Sequence, residues 1–218
     1  TDDFVSTLMA HKNIIFILGA GISAEKIWTL PDFHQQLGLK DKEGTHTVTE
    51  ESFSEFLEEF IPNSEKFYPT MTFFVQSLKR TKEPTQAHLA LKEIKDNLEE
   101  QGKNFFLYSG NLDELEEKAG LKIEAEDEIC PIPSSSKMSN ILLIMVGLRG
   151  DHAALINQHL WKYKNVYIYS FNKEPVKIFK FDKEMNIEGL AEIKGHVLGD
   201  IQQTIPELSR QLKEYLSK

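Results

Sequence analysis

One cysteine among 218 residues is the scarcest resource of this chain. A single thiol excludes an intrachain disulfide, and it excludes a thiolate zinc site built within this chain alone. Long apolar runs are missing too: nothing approaches the ~18–20 residues of a membrane-spanning helix. Positive charge is short, with 25 Lys and Arg against 34 Asp and Glu and a net charge of −9. That deficit argues against nucleic acid as a partner, because phosphates call for clustered cations. The opening Thr1-Asp2-Asp3 carries no secretory pattern, so a cytoplasmic or nuclear setting is expected. No internal repeat or low-complexity tract stands out. What the chain does have is a 40% hydrophobic share and 14 Phe, enough for the core of one large domain.

The most informative stretch is Phe16-Ile17-Leu18-Gly19-Ala20-Gly21-Ile22-Ser23-Ala24-Glu25. Ile14 to Leu18 reads as a buried strand that stops at two glycines separated by one small residue. A strand that enters a glycine turn and then a helix suits a dinucleotide: glycines permit close backbone approach, and a helix N-terminus offers N–H groups to a pyrophosphate. The third glycine of the usual fingerprint is absent, so an ordinary strand-to-helix turn is the competing reading.

The remaining pattern alternates strands with helices. Phe4 to His11 predicts a short amphipathic helix. Ser52-Phe53-Ser54-Glu55 has capping-box spacing, and Phe53, Phe56, Leu57 and Phe60 follow as an apolar stripe. Phe67, Met71, Phe74, Val75 and Leu78 give a second stripe, so 35–83 reads as a helical insertion in a single domain spanning 1–218. Pro84 opens a helix running to Glu100. Phe105 to Tyr108 is a short strand, Leu112 to Ala119 a helix, and Leu121 to Asn140 a linker-like loop. Ile141 to Val146 and Val166 to Tyr169 are buried strands, separated by a helix from His152 to Trp161. Ile178 to Phe181 is a short strand and Ile201 to Leu216 a terminal helix. The order predicts an α/β fold: a Rossmann-like parallel sheet with helices on both faces.

Several blocks resemble one family. Gly19-Ala20-Gly21-Ile22-Ser23-Ala24 followed by Pro31-Asp32-Phe33 is similar to the opening signature of the sirtuins, NAD-dependent protein deacylases. Pro84-Thr85-Gln86-Ala87-His88-Leu89-Ala90-Leu91 resembles their proline-to-histidine helix start. Tyr108 to Leu115, closing with Lys118-Ala119-Gly120, resembles their Thr-Gln-Asn-Ile-Asp-Asn-Leu-His…Ala-Gly block. Ile141 to Gly147 and Val166 to Asn172 resemble two late strands, and Gly195 to Asp200 a closing turn. The resemblance implies that NAD or ADP-ribose lies on Gly19, Ala20, Gly21, Ile22 and Phe33, with Gly147 facing the nucleotide and Asn172 holding the adenine ribose. Asn111 and Asp113 would recognise the nicotinamide carboxamide and serve catalysis if the chain is active; as residue types they equally suit a turn and a helix cap.

Departures from that pattern are as telling. His34 stands where the family has arginine, and Gly110 replaces a glutamine. Counting ten residues on from Gly120, the family's catalytic histidine is replaced by Cys130, followed by Pro131. A thiol flanked by Glu124, Glu126, Asp127 and Glu128 is a poor base. Only Pro131 to Asn140 fills the interval where the family carries a four-cysteine zinc ribbon, so no zinc and no other metal are expected. His152 and His159 lack a third ligand, His88 reads as a satisfied structural histidine, and the acidic run Glu114 to Lys118 as solvated surface. The sequence therefore predicts a degenerate sirtuin: a regulatory or scaffolding subunit with protein partners, binding NAD or ADP-ribose, with no membrane or nucleic-acid partner. The alternative is a divergent NAD-consuming enzyme, such as a hydrolase, an ADP-ribosyltransferase or a weak deacylase.

Overall fold

Two strands carry the fold because their side chains are apolar on both faces. Asn13-Ile-Ile-Phe-Ile-Leu18 forms β1 and Asn140-Ile-Leu-Leu-Ile-Met-Val146 forms β3, and from Ile14 to Leu18 and Ile141 to Val146 every side chain is sealed from solvent. Such runs need cover above and below, which a parallel sheet between helices supplies. The computed structural model describes residues 2–23, 83–111, 113–125, 140–148, 150–151 and 154–218. The expected helices over 35–83 lie outside these, apart from Glu83.

Five strands pair in parallel in the order β2-β1-β3-β4-β7, with β2 at Asn104–Ser109, β4 at Asn165–Asn172 and β7 at Ile193–Leu198. The two-residue period of the strands divides the core. Ile14, Phe16, Leu18, Leu142, Ile144 and Val146 face one way, into helices α1 (Asp2–Ala10), α2 (Gln86–Glu100) and α5 (Ile201–Leu216). Ile15, Ile17, Ile141, Leu143 and Met145 face the other, onto Leu155 and Ile156 of α4 (Leu155–Lys162). Phe4 closes the first side, its ring 5.0 Å from Tyr169 and 5.1 Å from Phe171.

The predicted α/β architecture stands, with local corrections. The helix expected over Leu112–Ala119 is only α3, Leu115–Lys118, because Glu114 holds a left-handed backbone at φ +61°. Ala154, at φ +53°, likewise delays α4 to Leu155. The closing turn expected over Gly195–Asp200 begins as strand: β7 continues to Leu198, and only Gly199 and Asp200 turn the chain into α5. The short strand expected over Ile178–Phe181 is β5 (Phe179–Phe181), and it pairs antiparallel with a strand the sequence did not announce, β6 (Ile187–Leu190).

His159 lies wholly buried on α4, its Nδ1 2.6 Å from the Leu155 carbonyl and its ring 5.5 Å from that of Tyr108. Burial lowers its pKa below 6.5; Lys162 adds to the shift, while the Leu155 bond and Asp151 oppose it. The unfolded chain therefore takes up a proton that the folded one refuses, and stability falls as pH drops below about 6.5. His159→Gln should flatten that acid limb by up to about 1.4 kcal/mol per pH unit, measured as urea-unfolding free energies between pH 7.5 and 5.

Candidate functional site

After β1 the chain goes to β2 on one side, and β3 lies on the other, so the carboxyl ends of β1 and β3 flank a topological switch point. Open parallel sheets place their ligand crevices there. Two turns cross at this point. Gly19 N–H donates to the Val146 carbonyl at 2.9 Å and Gly21 N–H to the Gly147 carbonyl at 3.3 Å, while Ala20–Ile22 closes a single 3₁₀ turn. A β-carbon at Gly19 would fall 2.6 Å from the Gly147 oxygen, and one at Gly21 2.7 Å from the Gly147 α-carbon. Gly147 itself sits at φ +67°, where side chains are strained. The glycines are thus required by each other, whatever else they hold.

Hydrogen bonds fix the rim of this crossing. Asn172 Nδ2 donates to the Leu148 carbonyl at 3.0 Å, and Gly147 N–H to the Phe171 carbonyl at 3.0 Å. The Ile22 carbonyl accepts twice, from Thr85 Oγ1 at 3.1 Å and from Gln202 Nε2 at 2.7 Å. Asn111 Nδ2 bridges the Gly19 carbonyl, at 3.3 Å, and Glu116 Oε1, at 2.8 Å. Gly19, Ala20, Gly21, Ile22, Asn111, Gly147 and Asn172 therefore come together as the sequence suggested. Phe33, His34, Cys130 and His152 lie outside the described residues.

Behind Asn111 lies a buried polar group that corrects two expectations. Glu116, assigned by sequence to a solvated run, is 0% exposed, as are Asp113 and His88. The reason is local: α3 turns Leu115 and Glu116 inward together, and Ser109 Oγ meets Glu116 Oε1 at 2.6 Å. Burial raises the Glu116 pKa and Asp113 adds to that, opposed by the bonds from Ser109 and Asn111. His88 is only half satisfied. Its Nδ1 lies 3.2 Å from Thr85 N and 2.7 Å from Thr85 Oγ1, while Nε2 has no partner and stands 4.0 Å from Glu116 Oε1. Burial holds its pKa down to about 4, with Asp113 pulling the other way. Asp113 caps Leu115 N–H through Oδ1 at 2.9 Å, the turn-and-cap role that its residue type suits, but its Oδ2 is buried and bare. The one sequence signal for this group is that Glu116 falls where the resembled block has histidine.

Comparison with known proteins agrees with this geometry. The Sir2 family model matches residues 19–128, half of the chain. The mitochondrial NAD-dependent protein deacylase sirtuin-5 of Xenopus tropicalis is 32% identical over 119 residues, 54% of this chain and 35% of that protein. An NAD-dependent protein deacetylase of Bacillus subtilis is 31% identical over 120 residues, 55% of this chain and 44% of its own length. The chain thus matches less than half the length of these curated relatives. Among solved structures, a Sir2 homologue in complex with NAD superposes with a TM-score of 0.64 at 15% identity, covering 99% of this chain and 95% of that one. A mutant Sir2 homologue in complex with ADP-ribose gives 0.59 at 17% identity, covering 100% and 98%. At such identities these structures speak for the fold.

The crossing is directly testable through two glycines. Gly21→Ala should lower stability by about 1–3 kcal/mol, since backbone must move to admit the methyl group. Gly150→Ala, whose β-carbon would meet nothing within 4 Å, should leave stability nearly unchanged. Paired urea-unfolding curves measure both.

Proposed function

The chain belongs to the Sir2 family, and on that premise we propose that it is a catalytically degenerate sirtuin that holds NAD or ADP-ribose at the glycine crossing and acts as a regulatory, protein-binding subunit. The observation that carries this reading is the commitment of Asn111. A carboxamide ligand needs a donor for its carbonyl and an acceptor for its amino group. The Asn111 amide nitrogen is spent on the Gly19 carbonyl and on Glu116, a carboxylate that crowds the same place. On the adenosine side Gly19 to Ile22, Gly147 and Asn172 are grouped at the crossing with no carboxylate among them, and the Asn172 amide nitrogen is held by the Leu148 carbonyl, which leaves its side-chain oxygen to face a ribose hydroxyl. An ADP-ribose ligand fits these residues better than the nicotinamide half does.

Sequence supports the loss of chemistry. Cys130 occupies the place of the family's catalytic histidine, and a lost general base commonly costs ~100-fold to 10,000-fold in rate. A cradle kept without its chemistry suits a binding role. The apolar side chains that β5, β6 and their turn expose, Phe179 (54%), Met185 (58%), Ile187 (65%) and Leu190 (54%), suit a protein partner. The second reading, a divergent NAD-consuming enzyme or a weak NAD-dependent deacylase, is favoured by one observation: Asp113 Oδ2 is a buried acceptor with no donor, as a carboxamide amino group would require. In that case NAD, when bound, supplies the reactive glycosidic bond, and Asp113 orients it.

Calorimetry with ADP-ribose and NAD, followed by chromatography for released nicotinamide, separates the two. Binding of ADP-ribose with a Kd on the order of micromolar and no nicotinamide release is expected. Nicotinamide release that disappears in Asn111→Ala would establish the enzyme instead. Absence of binding at millimolar ligand would remove the nucleotide from either reading.

A further inference from the structure

We propose that His88, Asp113 and Glu116 form a buried site for a divalent metal ion of zinc-like preference, tying the first turn of α2 to α3 and the turn that leads into it. The three side chains each offer one ligand atom, these atoms lie within 4.8 Å of one another, and all three residues are sealed from solvent. Two oxygen or nitrogen donors on one tetrahedral Zn²⁺, each at ~2.0–2.2 Å, stand about 3.3–3.6 Å apart. The widest spacing in the group must therefore close by roughly an ångström for the ion to be held by all three.

The hydrogen bonds give this cluster the form of a supported ligand set. In each side chain one terminal atom is held and the other is bare. Asp113 Oδ1 accepts from Leu115 N–H while Oδ2 has no partner. Glu116 Oε1 accepts from Ser109 and Asn111 while Oε2 has none. His88 Nδ1 is held by Thr85 while Nε2 has none. Metal ligands are ordinarily oriented in this way, through the atom that does not bind the metal. The bonds from Ser109, Asn111 and Leu115 to the carboxylate oxygens come from neutral donors, so two buried acidic groups lie together with one oxygen each unsatisfied among the described residues. One imidazole nitrogen with carboxylate oxygens is a set that Zn²⁺ accepts, and three protein ligands leave a fourth position for water.

Binding asks for one rearrangement. With Thr85 N–H pointing at Nδ1, the ring proton resides on Nε2; a metal at Nε2 moves it to Nδ1, where Thr85 Oγ1 at 2.7 Å accepts it and Thr85 N–H gives up its bond to the ring. Thr85 Oγ1 in turn donates to the Ile22 carbonyl, so the ion would brace the glycine turn from behind. The competing occupant is a water molecule hydrogen-bonded to the same bare atoms.

Zn²⁺ is the probe. The purified chain, freed of metal with a chelator, is titrated with Zn²⁺ against a chromophoric competitor and then melted. One equivalent should bind, and the melting temperature should rise by several degrees at roughly 100-fold excess over Kd. Glu116→Gln, which keeps the Oε1 acceptor, and His88→Gln should each weaken binding at least ~10-fold, whereas Cys130→Ser should not. If either variant fails to fold, Co²⁺ added to the unaltered chain decides. A d–d absorption without a thiolate charge-transfer band supports the site, and a thiolate band overturns it. Binding that survives Glu116→Gln or is lost in Cys130→Ser overturns it too, as does no binding, which leaves water in the pocket. None of these readouts depends on whether a nucleotide binds.

Discussion

The close passage of Gly19 and Gly21 over Gly147 is the contact on which the rest of the molecule rests. Here the two strands that carry the core leave the sheet, and their turns lie closer than any side chain would allow. Because β1 and β3 are in register from Asn13 against Ile141 to Leu18 against Val146, both turns begin at the same height. One crossing thus joins the middle of the sheet to the topological switch point, where open parallel sheets place their ligand crevices. Steric necessity and ligand access have the same address, so the presence of these glycines alone cannot distinguish them. The polar neighbours can: Asn111, Asn172 and Thr85 carry information about a ligand because their hydrogen bonds reveal which groups are spent and which are free.

Most of the framework was legible in the sequence because it obeys strong rules. Ile14 to Leu18 and Ile141 to Val146 are continuous apolar runs, Pro84 precedes a capped helix, and Ile201 to Leu216 is helical as the pattern indicates. What escaped was weakly encoded. Ile193 to Leu198 is a half-exposed edge strand broken by Gly195, which admits the Tyr169 ring and so has a packing reason invisible along the chain. Glu114 and Ala154 take left-handed conformations that their residue types do not announce.

The candidate site divides in the same way. The family resemblance named Gly19 to Ile22, Gly147, Asn111 and Asn172, and the sheet brings these residues to one end of β1 and β3. Glu116 was misassigned because a glutamate among Glu114, Glu117 and Lys118 looks like surface, and only the direction of a four-residue helix turns it inward. The expectation of a satisfied His88 holds for one nitrogen: Nδ1 meets Thr85, while Nε2 has no hydrogen-bond partner among the described residues and stands 4.0 Å from Glu116, 28 positions away. Burial of charge is a tertiary fact, and no periodicity of two or 3.6 residues encodes it.

The doubly bonded Ile22 carbonyl has a consequence for how the chain acquires this arrangement. Its two donors lie 63 and 180 residues away, Thr85 at the head of α2 and Gln202 in the first turn of α5. Contacts of such span close slowly, since the loop entropy must be surrendered before the bond is gained. β1 precedes both donors in the sequence, so its turn cannot gain both bonds until α2 and α5 have packed against it. Removing α5 would leave the Ile22 carbonyl with Thr85 alone of these two donors, so the turn after β1 depends on the docking of a helix far along the chain.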